Sequence, residues 1–175
     1  MFRHAINTVD QYYDEENTYY DKMMPLLENL YIQYQKVLYD SPFRKELEQK
    51  IGLVAFKNME LQRKSSNESV IPLQQHENAL VSEYEKLLAS ASFEWEGKTL
   101  SMPELGKYQT DPDRAVRIRS WNMLASFMEK NSESWDQIYQ QLVENRTAQA
   151  KKLGYRDYVE LGYYRMQRNC YDREM

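Results

Sequence analysis

Residues 132–154, SESWDQIYQQLVENRTAQAKKLG, set Trp135, Ile138, Tyr139, Leu142, Val143 and Ala150 at steps of three, four and seven. That spacing lines one face of a helix with 3.6 residues per turn, while Ser132 offers a capping hydroxyl and Gly154 a left-handed close. The same signal recurs on both sides. Asp111-Pro112 opens a helix bearing Val116, Leu124, Phe127 and Met128, and Ser101-Met102-Pro103-Glu104 has capping-box spacing for a brief one. A helix from about 69 to 91 carries Leu73, Leu80, Tyr84, Leu87 and Leu88, set off from its predecessor by Ser65-Ser66-Asn67. That predecessor, started by Ser41-Pro42, presents Phe43, Leu47, Ile51 and Val54/Ala55.

Nearer the start, a first helix with Tyr12, Tyr13, Tyr19 and Tyr20 is expected to end near Met23. Pro25 then suits the first turn of a second, with a buried stripe of Leu27, Leu30, Tyr31, Tyr34, Val37 and Leu38. Beyond Gly154, Asp157 starts a further helix, and residues 169–175 read as the opening of another that the chain does not continue. One stretch breaks the pattern: Ser92 to Leu100 alternates apolar and polar residues around Gly97, as a short hairpin does. The predicted fold is all-α, a multi-helix lobe of amphipathic helical hairpins with one short β-hairpin near residues 93–100.

Composition agrees. The 175 residues include only five Gly and five Pro, and 29% are charged, as in a helical domain of single-domain size. Lys and Arg number 23 against 27 Asp and Glu, a net charge of −4. With no basic excess to meet phosphate, nucleic acid and anionic membranes are not expected partners. One cysteine, Cys170, excludes an internal disulfide framework, and the opening residues carry no signal-like apolar run, so a cytoplasmic location is expected. No apolar run approaches the length needed to span a bilayer.

Catalytic chemistry finds few donors. His4 and His76 are the two histidines, and His76-Glu77-Asn78-Ala79-Leu80 places Leu80 where a second zinc-binding imidazole would stand. Glu-x-x-His pairs, phosphate-binding glycine loops and a Gly-x-Ser-x-Gly elbow are all missing. No catalytic and no metal-binding residue is assigned, and no cofactor is expected in this chain.

The order of segments nevertheless resembles the amino-terminal portion of zinc oligopeptidases of the oligoendopeptidase F and thimet oligopeptidase type. The likeness runs through Arg3-His4 with Asn7-Thr8, Glu16-Asn17-Thr18-Tyr19-Tyr20-Asp21, Ser41-Pro42-Phe43-Arg44 and Phe93-Glu94-Trp95-Glu96-Gly97-Lys98. More specific are Asp113-Arg114-Ala115-Val116-Arg117, Lys152-Leu153-Gly154-Tyr155, Tyr158-Val159-Glu160-Leu161, Arg165-Met166-Gln167-Arg168 and Tyr171. The family's His-Glu-x-x-His helix and later Glu, which hold zinc, have no match here and are expected beyond Met175.

The resemblance implies that residues 1–175 form an N-terminal helical lobe, cut before the zinc-binding catalytic domain, that walls the channel through which short peptides reach the metal. Its partners would be its own C-terminal catalytic domain and the oligopeptide substrate. Arg165, Arg168 and Tyr171 lie nearest the missing part and are candidates to bind peptide carboxylates or carbonyls, the alternative being inter-helix ion pairs and packing. A second reading is a stand-alone, non-enzymatic helical protein-interaction module that grips a partner helix.

Overall fold

The computed structural model describes residues 2–171 and 174–175. Among them, nine α-helices and one hairpin follow in order: α1 (Phe2–Ile6), α2 (Gln11–Tyr39), α3 (Arg44–Ile51), α4 (Leu53–Ser65), α5 (Ile71–Ala89), β1 (Phe93–Trp95), β2 (Lys98–Leu100), α6 (Met102–Gly106), α7 (Arg114–Lys130), α8 (Ser132–Lys152) and α9 (Tyr158–Arg165). The all-α expectation with a short hairpin is the observed architecture.

Helix α5 packs on both α2 and α8, while α4 packs on α2 and α9. Phe56, Leu61, Val70, Leu80, Ile138, Ala150 and Leu161 are buried in this array. A second core forms where the hairpin meets α6 and α7. Ala91, Phe93, Trp95, Leu100 and Leu105 bury there against Val116, Met123, Leu124 and Phe127. In the antiparallel hairpin, Trp95 pairs with Lys98 across a two-residue turn. Glu96 and Gly97 both take positive φ, 51° and 78°, as a turn matching strand twist requires.

Caps explain several boundaries. Asp10 accepts the amides of Tyr12 and Tyr13, Ser101 and Glu104 form the expected capping box, and Asp157 accepts from Val159. Two caps fall one or two residues from the expected positions. Asp113 rather than Asp111 caps α7, because Asp111 spends its carboxylate on the amide of Asp113, and Asn131 rather than Ser132 precedes α8.

Four expectations are corrected. The predicted break before Pro25 does not occur, and α2 runs through it unbroken for 29 residues. Proline removes the amide that would bond Asp21, four residues back, and Asn78 Nδ2 of α5 donates to that Asp21 carbonyl instead at 3.0 Å. Gln75 Nε2 likewise serves the Lys22 carbonyl at 2.7 Å. The predicted stripe of α2 is also turned outward: Leu27, Leu30, Tyr31, Tyr34 and Val37 are exposed, while Asn17, Pro25, Asn29 and Gln35 are buried. The third predicted helix is two helices meeting at Gly52, with Phe43, Ile51 and Val54 exposed. Finally, Asn169, Cys170 and Tyr171 are not helical. The rest of that expected helix start includes Asp172 and Arg173, which lie outside the described residues.

Gly52 has φ 102° and ψ 146°, a conformation that a Cβ strains even though open space surrounds it. Gly52→Ala should therefore cost about 1–3 kcal/mol through the backbone alone. Urea denaturation checks this, and a loss near zero would mean that the α3–α4 corner rearranges freely.

Candidate functional site

The three candidate residues leave α9 and the segment after it in two directions. Arg165 reaches inward, where its Nη1 donates to Glu77 Oε2 at 2.9 Å and to the Tyr158 hydroxyl at 3.2 Å. Glu77 is 5% exposed on α5, and its other oxygen accepts from Arg146 Nε at 2.8 Å. Gln149 Nε2 donates to Glu77 Oε2 at 2.8 Å, and Asn145 Nδ2 donates to the Leu73 carbonyl at 3.1 Å. One buried carboxylate thus ties α5, α8 and α9 together. Burial alone would push the Glu77 pKa up; the Arg165 charge and the hydrogen bonds from Arg146, Gln149 and Arg165 outweigh it and hold the carboxyl below its ordinary value.

Arg168 and Tyr171 come together elsewhere. The Arg168 guanidinium lies 4.4 Å from the Tyr163 ring centroid and 5.2 Å from that of Tyr171. These side chains, with Arg156, Val159 and Glu160, line a cleft of about 490 Å³. Beside it, Tyr164 donates to Glu160 Oε1 at 2.7 Å, and that bond, aided by burial, pushes the phenol pKa up to about 12. The cleft offers aromatic faces and two guanidiniums, Arg156 and Arg168, among three carboxylates, Asp157, Glu160 and Glu174. A guanidinium can bind a carboxylate or a peptide carbonyl.

Sequence reasoning missed Glu77 as the hub. The signal was present: Leu73, Glu77, Leu80, Tyr84 and Leu87 step by four, three, four and three, so a carboxylate occupies a core position of the stripe. Asn145 and Gln149 do the same behind Ile138 and Leu142 on α8. Polar residues at core positions of two helices announce a buried network.

Among the described residues, no three His, Cys, Asp or Glu side chains gather into a metal site. His76 is exposed, and His4 is buried with Nε2 at 3.2 Å from Asp14 Oδ1. Among the described residues, these separated donors do not form a zinc-ligand set. No described helix is long and apolar enough to cross a membrane.

Glu77 also sets an acid dependence. Its folded pKa is depressed, so its contribution is full above the unfolded value of 4.5 and is lost as pH falls below that through the folded pKa. Stability should fall steadily below about pH 4.5, with a shallower slope in Glu77→Gln. Guanidinium midpoints across pH 3–7 test this; identical slopes for both proteins would remove Glu77 from the acid response.

Residues 1–66 match the Peptidase M3 N-terminal domain. Over 99% of its length, the chain superimposes on a chain assigned as oligoendopeptidase F and on PZ peptidase A with an inhibitor, each at 39% identity and TM-score 0.94. A further chain assigned as oligoendopeptidase F, from Bacillus anthracis str. Ames, gives 36% identity, 99% coverage and the same TM-score. The chain spans only 31–32% of those proteins' own lengths. No curated protein matches significantly. In fold and in sequence, the chain is similar to the amino-terminal portion of chains assigned as oligoendopeptidase F, and its residues 1–66 match the Peptidase M3 N-terminal domain.

Proposed function

We propose that this chain serves as the N-terminal lobe of a cytoplasmic, zinc-dependent oligoendopeptidase that hydrolyses short peptides. In this reading the lobe walls a channel, and the remaining polypeptide supplies zinc, its ligands and the water-activating carboxylate. The observation that carries it is similarity along 99% of this chain to about a third of proteins assigned as oligoendopeptidase F. Such a lobe contributes by shape. A helical wall admits extended peptides and excludes folded domains, so it selects substrate by size without a catalytic residue of its own.

Arg168 and Tyr171, in the cleft beside α9, are the candidates to touch peptide, through a carboxylate or a carbonyl. Arg165 is a weaker candidate, since its guanidinium is engaged by Glu77 and Tyr158. The chain's partners are then its own C-terminal catalytic domain and the oligopeptide. Quenched oligopeptides with added zinc test the reading. The 175-residue chain should give no chelator-sensitive turnover, whereas the protein extended by its downstream polypeptide should. Turnover by the purified short chain, or none by the extended protein, would overturn the proposal.

A further inference from the structure

Helix α2 is built inside out. Tyr20, Leu27, Leu30, Tyr31, Tyr34 and Val37 are exposed, Leu30 at 60% and Val37 at 70%. At 100° per residue they fill an arc of about 120°, the width of a face that meets a core rather than a scatter of surface residues. Pro25 and Asn29 lie on the opposite arc and are buried against the lobe. Three tyrosines of roughly 150–250 Å² each and the smaller Leu27, Leu30 and Val37, about half exposed, leave an open patch on the order of 600 Å². That is the upper end for a monomer surface and near one side of a standard interface of roughly 800 Å².

We infer that this face is covered by a helical layer from the part of the peptidase that lies outside this chain, so that α2 is the middle helix of a three-layer packing. The inference rests on the proposed lobe function. Two observations select this occupant. The matched peptidases carry about two-thirds of their length beyond the portion this chain covers. In addition, Asn169 and Met175 lie against α4, the helix that packs on α2: Asn169 Nδ2 donates to Asn58 Oδ1 at 2.6 Å, and Met175 shares a cleft with Lys57 and Leu61. Polypeptide continuing from Met175 enters next to the helix pair whose outer face is open.

The test compares the 175-residue chain with the full-length protein. In a Cys170→Ser background, Leu30→Cys should react with maleimide at least about tenfold more slowly in the full-length protein, where the face is covered. Leu30→Glu should lower Tm by more than about 5 °C in the full-length protein and by about 1 °C or less in the short chain. Equal labelling rates in the two proteins would overturn the inference. So would slow labelling of the short chain at the mass of a dimer, which would make a second copy the occupant. Peptide hydrolysis with equal labelling would leave the lobe function standing and remove only this docking face. Protection without hydrolysis would keep the face and remove the peptidase reading.

Discussion

Phe56→Ala should destabilise the lobe by about 3–5 kcal/mol, because the ring is fully buried and its removal leaves a cavity that rigid helices cannot close. The ring lies 6.5 Å from that of Tyr39, and the Arg44 guanidinium sits 4.5 Å from its centroid. Truncation therefore removes the packing between α2 and α4 and also one of the two aromatic faces against which Arg44 stacks. For a domain whose total stability is of order 5–15 kcal/mol, that loss brings partial unfolding within reach of moderate temperature. Calorimetry should show a fall in Tm of about 10 °C. A loss below about 1 kcal/mol would mean that the α2–α4 contact is not part of the main core.

Glu77→Ala should follow closely, at about 2–4 kcal/mol. Removing one partner of a buried ion pair strands the others, and the full effect of roughly 3–5 kcal/mol is reduced because Arg146 and Arg165 remain 38% and 31% exposed. Glu77→Gln should lose less, since the amide still accepts from Gln149 while the charge is gone. Hydrogen exchange gives a second readout: α9 should lose protection first, because Arg165 is its tether to α5. Uniform loss across α5, α8 and α9 would show that the network is not a local tie.

How far the sequence could be read depends on where each signal originates. The hairpin was legible because alternation and Gly97 are local, and α8 because its apolar spacing, with Gly154 at its end, is. The orientation of α2 was not. Apolar periodicity predicts which residues share a face, but it cannot say whether that face meets this lobe or another body. Part of the inward polar face of α2 is met by a partner far along the chain: Asn17 Nδ2 donates to Ser82 Oγ at 2.9 Å, and Ser82 Oγ donates to Asp21 Oδ2 at 2.7 Å. Continuation through Pro25 similarly needed Asn78.

The candidate site divides in the same way. Arg165 could be picked out as a residue near the end of the lobe, yet its ion pair depends on a carboxylate 88 positions away. Arg168 and Tyr171 are three apart, so their meeting needed only local geometry, and the structure brings them together.

The central claim is that this lobe completes a peptidase, and complementation tests it most directly. The remaining polypeptide, expressed without residues 1–175, is mixed with this chain, and kcat/KM on a quenched oligopeptide is measured against chain concentration. The account predicts negligible turnover for the remainder alone and a saturable rise with added chain, abolished by a chelator. Full activity of the remainder alone, unchanged by the chain at any concentration, would contradict it.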